Sequence, residues 1–143
     1  MQGKVLKLFI TTNDRDKKRQ EKEIISVDEN GIIGDKFYAK DQQRAILITS
    51  IYSYDLAQKS EIDIQHGTLG ENILVDINPY HLLPGEQLSI GDLTLEITQN
   101  CTLCKGLSTL NSKLPKLLKS DRGIFAKVVG GSGSIKLSDS VKI

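Results

Sequence analysis

The two cysteines of the chain, Cys101 and Cys104, lie three residues apart in the segment Gln-Asn-Cys-Thr-Leu-Cys-Lys-Gly-Leu. They follow an apolar–polar alternation over residues 93–97 that predicts a strand, so both thiols come just after a strand end. Such loops are where a rigid scaffold presents reactive groups. A thiolate there could attack an electrophile, ligate a metal or carry sulfur. The alternative is two small, inert, buried side chains.

The charge of the chain changes sign at these cysteines. Residues 1–100 carry 11 Lys/Arg against 16 Asp/Glu, a net of −5, whereas residues 101–143 carry 8 against 2, a net of +6. Positive surroundings favour thiolate over thiol. Arg44, whose planar fork suits a phosphate or carboxylate, lies outside this segment and has a surface charge as its alternative role. We expect Arg44 to converge on the cysteine pocket with some of the basic residues Lys105, Lys113, Lys116, Lys119 and Arg122, which otherwise form a solvated helix face.

Length and composition indicate one domain over residues 1–143. Apolar residues make up 38% and charged residues 26%, as in ordinary globular proteins, and the formal charge of +1 argues against nucleic-acid or acidic-membrane binding. No run approaches the roughly 20 apolar residues of a membrane span, and residues 1–6 lack the apolar core of a signal peptide. Two cysteines are not a disulfide framework, so we expect a reducing, cytoplasmic location. The oligomeric state cannot be inferred.

Most of the chain has the pattern of short strands. Residues 4–10, 24–27 and 45–49 are predicted strands, the last of them buried. Ser50 is predicted to cap a helix that runs to about residue 58. Residues 11–23 are dense in both signs of charge and are predicted to form a solvated loop.

Two segments near the end of the chain share one hairpin pattern. Residues 88–97 and 135–143 each alternate, turn at Gly-Asp or Ser-Asp, and alternate again. Repeated hairpins predict a mainly β fold, with an antiparallel sheet curling into a barrel. Between them, residues 105–119 have leucines at helical spacing, and Pro115 is expected to divide them into two short helices.

Three polar residues beside glycines are further site candidates. Asp35 follows Gly34 and could be a turn residue that binds its own backbone, or a site residue. Glu71 and Asn72 follow Gly70, where they could join loops together or face a ligand.

Five of these segments, taken in order, resemble the elements of MOSC domains, the domains at the C-terminus of molybdenum-cofactor sulfurases and in small bacterial proteins. The resemblance runs from about residue 32 to residue 143. The matching segments are Gly-Asp-Lys-Phe-Tyr-Ala at 34–39 with the following Arg44, Gly-Thr-Leu-Gly-Glu-Asn-Ile at 67–73, residues 83–91, residues 96–104, and Gly-Ile-Phe-Ala-Lys-Val at 123–128.

This resemblance implies a barrel-like β fold with a pocket where a cysteine binds sulfur or the molybdenum of a pterin cofactor, without pyridoxal phosphate. Cys104 stands at the position of the family cysteine and would be the working thiol and metal ligand, with Cys101 as a resolving partner or spectator. The chain departs from the family at Phe37, where members have His, and at Leu103, where Pro is frequent. The implied residues around molybdopterin are Asp35, Lys36, Arg44, Glu71, Asn72, Lys105 and Arg122.

Three functions remain open on the sequence. The first is a sulfur carrier or molybdopterin-binding protein, with a small-molecule cofactor or a sulfur-donor protein as its partner and with an enzymatic activity left undecided. The second is a dithiol redox protein that uses Cys101 and Cys104, although the parallel sheet typical of such motifs is not predicted. The third is a structural zinc site in which His66 and His81 join the two cysteines.

Overall fold

Within the residues that this computed structural model describes, namely 1–12, 14–15, 18–102 and 105–143 (backbone only for 105 and 106), seven strands close into a barrel. The order around the barrel is β11-β7-β8-β9-β5-β6-β1, and β1 pairs back to β11. The strands in chain order are β1 (Gln2–Thr11), β2 (Arg19–Lys22), β3 (Ile24–Asp28), β4 (Gly31–Ile32), β5 (Ile46–Ser50), β6 (Ile73–Val75), β7 (Gln87–Ile90), β8 (Leu93–Asn100), β9 (Ile124–Gly130), β10 (Gly133–Lys136) and β11 (Ser140–Lys142).

Four of the described strands lie outside the closed ring. β2 continues the sheet beyond β1, and β3 pairs with β10 and β4 in a separate three-stranded sheet. Three short helices, α1 (Ile51–Lys59), α2 (Lys105–Leu110) and α3 (Leu114–Leu117), and a 3-10 turn (Gln42–Arg44) complete the described elements. No helix in the described part of the chain is long and apolar enough to cross a membrane.

The barrel interior holds the main hydrophobic core. In β8 the alternate residues Leu93, Leu95 and Ile97 are buried while their neighbours are half-buried, as expected for a strand with one face on the core. All five residues of β5 are buried: Ile46 and Ile48 pack in the barrel core, and Leu47 packs against Cys101 and Phe125. A second core cluster, which includes Tyr54 and Ala57, lies between α1 and the segment containing α2 and α3.

The mainly β barrel fold predicted from the sequence is confirmed. Strands cover residues 4–10, 24–27 and most of 45–49, and the 88–97 hairpin forms with its turn at residues 91 and 92. Ser50 caps α1, since its Oγ accepts a hydrogen bond from the Tyr52 N–H at 3.1 Å. One feature was not predicted: β5 and β6 pair in parallel, joined by a crossover that contains α1.

The predicted hairpin over residues 135–143 is wrong, because its two strands belong to different sheets. β10 pairs with β3, whereas β11 pairs with β1 and β7. The connecting residues bind one another locally, since the N–H of Asp139 donates to the Lys136 carbonyl at 3.1 Å, and they also bind distant backbone. The N–H of Leu137 donates to the Glu23 carbonyl, the N–H of Ser138 donates to the Val5 carbonyl, and Ser138 has φ 70°.

Two further predictions need correction. Residues 11–23 are not all loop, since Arg19–Lys22 form β2 and pair antiparallel with the end of β1. The segment 105–119 does contain two short helices, but the break precedes Pro115, which lies in the first turn of α3. Proline is tolerated there because the first helical N–H groups have no partner within the helix.

A large-to-small change at Ile73 should strongly destabilise the barrel. Ile73 is fully buried and lies opposite Leu8 of β1 and Ile48 of β5. We expect Ile73→Ala to lower the free energy of unfolding by about 2–5 kcal/mol through lost burial and cavity formation. The control Ile24→Ala, at a position 52% exposed, should cost less than about 1 kcal/mol. Equal urea midpoints for the two variants would contradict this packing.

Candidate functional site

A pocket of about 420 Å³ opens at one end of the barrel, where β1 and β8 end and β2, β5, β6 and β9 begin. Its volume is in the range typical of small-molecule sites, roughly 300–1,000 Å³. The walls come from seven separate segments of the chain. The lining residues are Thr11, Arg19, Asp35, Lys36, Phe37, Arg44, Leu47, Gly67, Thr68, Leu69, Gly70, Asn72, Cys101, Arg122 and Phe125.

The Asp35 carboxylate fixes one wall of this pocket. Asp35 is buried, and its Oδ1 accepts a hydrogen bond from the Thr11 N–H at 2.9 Å while its Oδ2 accepts one from the Phe37 N–H at 3.1 Å. Gly34 has φ 93°, a conformation that favours glycine, and it turns the chain into this arrangement. Because both oxygens are bonded to the main chain, Asp35 holds Lys36 and Phe37 against the pocket.

The Asn72 side chain joins three segments at the same end of the barrel. Its Oδ1 accepts from the Leu47 N–H at 3.0 Å, and its Nδ2 donates to the Phe9 carbonyl at 3.2 Å and to Asp35 Oδ1 at 3.4 Å. Its backbone also bonds to Phe9 and Leu47. Asn72 therefore lines the pocket, but its side-chain amide forms its hydrogen bonds with other protein groups.

Four basic side chains line the pocket among the described residues: Arg19, Lys36, Arg44 and Arg122. Two of them lie over aromatic rings, with Lys36 Nζ 4.9 Å from the centroid of Phe37 and Arg44 Cζ 6.0 Å from that of Phe125. In the described part of the chain one carboxylate lines the pocket, that of Asp35, and it is bonded to the main chain. The pocket therefore suits an anion that has apolar surface beside it.

Arg122 is the basic residue that most needs a ligand. Its Nη2 donates to the Leu69 carbonyl at 3.3 Å, whereas its Nε and Nη1 are buried and have no hydrogen-bond partner among the described residues. An unpaired buried donor on a charged group is costly, so such groups normally bind protein, water or ligand. The two free nitrogens mark a position for an acceptor.

Cys101 also lines the pocket. Its free thiol is buried beside Leu47 and Phe125, and its backbone N–H donates to the Gly123 carbonyl at 3.0 Å. Cys104 and Leu103 lie outside the described residues, as does the Lys105 side chain. Their predicted roles therefore stay predictions.

Glu71 lies behind the pocket wall instead of in it. Its side chain is fully buried, and its Oε2 accepts a hydrogen bond from the Tyr54 hydroxyl at 2.5 Å. Burial, and then the adjacent carboxylate, raise the pKa of Tyr54 far above its usual value, so the phenol stays protonated and keeps donating. The other oxygen of Glu71 faces Arg19, with Oε1 4.0 Å from Nη2.

Arg19 is a charged residue of the pocket lining that the sequence analysis did not identify as a site candidate. It was assigned to a solvated loop because mixed charges surround it, and no apolar period marks β2. In the structure its guanidinium instead donates through Nε to the Gly67 carbonyl at 2.9 Å and through Nη1 to Thr11 Oγ1 at 3.1 Å.

The expected convergence of basic residues occurs in part. Arg44 and Arg122 share the pocket, but Lys113, Lys116 and Lys119 are not among its lining residues. The described members of the expected zinc set are not brought together, because Cys101 lines this pocket while His81 lines a second cavity with Tyr80 and Asp121. His66 packs edge-on against Tyr54, and no group of three or more metal-binding side chains occurs among the described residues.

Removing the Asn72 amide should destabilise the protein. Asn72→Ala leaves the buried Leu47 N–H and Phe9 carbonyl without their side-chain partner, at a cost of about 2–5 kcal/mol in the free energy of unfolding. The control Asn100→Ala changes an exposed asparagine at the end of β8 and should have an effect within about 0.5 kcal/mol. If urea denaturation gives the same small loss for both variants, this amide does not hold the pocket together.

Solved structures share this fold over nearly the whole chain. YuaD from Bacillus subtilis matches with a TM-score of 0.81 at 20% identity, covering 99% of this chain and 94% of that one. YiiM from Geobacillus stearothermophilus matches at 0.72 and 12% identity, covering 98% and 74% of the two chains, and YiiM from Escherichia coli at 0.70 and 16%, covering 99% and 69%. No curated protein matches the chain in sequence.

A family model provides the sequence-level assignment that these distant structures cannot. The MOSC domain model matches residues 30–142, which include most of the pocket-lining segments. The resemblance found in the ordered motifs of the sequence is thereby confirmed, and this chain belongs to the MOSC domain family.

Proposed function

We propose that the barrel-end pocket binds a molybdenum cofactor through its phosphate, with a cysteine thiolate from residues 101–104 directed at the molybdenum. The observation that carries this proposal is a pair of buried Arg122 nitrogens with no hydrogen-bond partner among the residues that the structure describes, in a pocket whose wall also holds Cys101. Family membership supports the same assignment, since the resemblance to MOSC domains implies a cysteine beside a pterin cofactor.

The basic side chains fit the phosphate of such a cofactor. Arg122 offers Nε and Nη1, and its fork can bind two oxygens of one phosphate. Arg44 and Lys36 lie on the same pocket with their cations over aromatic rings. Bringing these charges together is unfavourable without an anion, so a phosphate would relieve their mutual repulsion.

The apolar part of the pocket fits a flat ring system. Leu47 and Phe125 form one wall, and Phe37, which is 46% exposed, stands at the pocket with its ring open to solvent. Aromatic faces stack on planar ligands and exclude water from them. Phe37 occupies the position where the family pattern has His, so this chain offers an apolar contact there.

The cysteine segment completes the fit. Thiolate is the ligand form of cysteine, and Cys101, which follows β8 directly, lines the pocket wall. When bound, molybdenum would supply two-electron redox chemistry. The chain's own contribution is to anchor the phosphate, hold the ring against Phe125 and keep a thiol at the wall.

The proposal can be tested by purification from cells that make the cofactor. We expect molybdenum, measured by elemental mass spectrometry, and pterin, measured by fluorescence after oxidation, to be retained in equal amounts. Cys104→Ser should lose the molybdenum and Cys101→Ser should keep it, because Cys104 stands at the family position. Loss only with Cys101→Ser would reverse this assignment. Absence of both metal and pterin in the wild-type protein would overturn cofactor binding.

The same preparation separates the sulfur-carrier and dithiol alternatives. Intact-mass analysis without reductant would show one added sulfur atom on a sulfur carrier charged by a donor protein, and the loss of two hydrogens if the cysteines form a disulfide. Alkylation rate against pH would then identify the low-pKa thiol, and retention of that reactivity in Cys104→Ser would exclude Cys104.

Arg122 should contribute directly to anion affinity. We expect Arg122→Gln to weaken inorganic phosphate binding by about tenfold or more, since a charged donor is lost from a partly buried site. Lys113→Gln removes the same charge from an exposed position outside the pocket and should change affinity by less than about twofold. Calorimetry at fixed ionic strength measures the phosphate affinity of both variants. Equal losses of affinity would mean that the effect comes from net charge and not from Arg122 itself.

A further inference from the structure

Arg19 lies between the pocket and a buried carboxylate. Its guanidinium donates to the Gly67 carbonyl, to Thr11 Oγ1 and, through Nη2, to the Glu71 carbonyl, and it lies over the Phe9 ring at 5.2 Å. These acceptors hold the group in place and use three of its five N–H bonds. One N–H on each terminal nitrogen remains, and the side chain is 30% exposed where it lines the pocket.

The loop at 67–71 binds both this arginine and Arg122 through its carbonyl groups. Arg19 binds the carbonyls of Gly67 and Glu71, and Arg122 binds the carbonyl of Leu69, which lies between them in sequence. Gly67 has φ 93°, and a Cβ there would lie 2.9 Å from the Phe9 ring, so this backbone path requires glycine. Two arginines that bond to one short loop are suited to an anion with more than one negative charge.

Glu71 supplies the opposing charge. Its carboxylate is fully buried, its Oε1 has no hydrogen-bond partner in the described chain, and Arg19 Nη2 lies 4.0 Å from that oxygen. A buried carboxylate needs a counter-ion, and Arg19 is the cation paired with it among the described residues. The charge of Arg19 is therefore partly offset before any ligand arrives.

We infer that Arg19 is a further anion-binding residue of the pocket. Glu71 limits how strongly Arg19 binds an anion, because the Glu71 carboxylate offsets part of the Arg19 charge. This inference rests on the anion site of the proposed function but not on the identity of the cofactor. The ligand class is a doubly or more highly charged oxyanion, such as a phosphate monoester or a diphosphate. Such a ligand competes with Glu71 for the same guanidinium.

The two partners predict opposite effects on binding. Glu71→Gln keeps the side-chain shape and an acceptor for Tyr54, while the three hydrogen bonds still hold Arg19. With its charge released, pyrophosphate should bind about threefold to tenfold more tightly. Arg19→Gln should weaken pyrophosphate binding about tenfold. It should also lower stability, because Glu71 then remains buried without a counter-ion.

The experiment is a double-mutant cycle with pyrophosphate as the probe, measured by calorimetry at fixed ionic strength and paired with urea denaturation. The double variant R19Q/E71Q should bind as weakly as R19Q but regain most of the lost stability, since no buried charge is left. If R19Q alone folds poorly, the double variant supplies the affinity reading. Glu86→Gln, an equal charge change at an exposed residue, is the control and should leave affinity within about twofold.

Each contrary outcome overturns a stated part of the inference. Unchanged affinity in R19Q, or in the double variant, removes Arg19 from the site. Unchanged or weaker binding by folded E71Q, or insoluble E71Q, shows that the carboxylate holds the loop and does not attenuate Arg19. Wild-type protein that binds pyrophosphate but retains no molybdenum leaves this inference standing and removes the cofactor. If the wild-type protein retains molybdenum but its cofactor-free form binds no pyrophosphate, this inference alone is overturned.

Discussion

The hydrogen bonds of Asn72 are the constraint on which the pocket depends. This residue stands just before β6, which lies between β1 and β5, so its backbone reaches Phe9 on one side and Leu47 on the other. Its side chain repeats both connections and adds a third, to Asp35. A barrel end would otherwise leave strand termini with unpaired groups, which are costly when buried. One amide therefore closes the barrel end and fixes the distance between the two walls that carry Lys36 and Leu47.

The charges around the pocket divide into two sets with different tasks. Asp35 and Glu71 are buried and accept hydrogen bonds from main-chain N–H groups and from Tyr54, so they organise the loops. Among the cations, Arg122 keeps two nitrogens without a hydrogen-bond partner in the described part of the chain. A protein whose formal charge is only +1 thereby concentrates positive potential at one opening. The sequence trend from −5 to +6 captures only part of this, because Arg19, Lys36 and Arg44 all come from the acidic part of the chain.

Local sequence patterns predicted the elements that are determined by interactions between residues close together in the chain. The alternation in β8 and the Gly91-Asp92 turn specify a hairpin within a few residues, and it forms as expected. The 135–143 segment has the same pattern, yet β11 pairs with β1 from the other end of the chain, and no local signal encodes that choice. Arg19 was missed because β2 consists of polar and charged residues whose strand character comes from pairing with β1. For Glu71 the sequence left two roles open, joining loops together or facing a ligand, since residue type does not reveal that a carboxylate is buried behind a wall. The order of five weak motifs was a stronger signal, and it identified the family.

The departure at Phe37 shows how the fold and the ligand contacts are separated at this site. Asp35 Oδ2 binds the main-chain N–H of residue 37, which any residue except proline supplies. The Phe37 side chain is 46% exposed, and the Nζ of the neighbouring Lys36 lies 4.9 Å from the centroid of its ring. The turn therefore keeps its shape whichever side chain stands at position 37, and replacing His by Phe leaves the barrel intact. What changes is the surface offered to a ligand, from a polar ring to an apolar one. The side chain at position 37 is thus independent of the fold, whereas the hydrogen bonds of Asp35 and Asn72 belong to the scaffold.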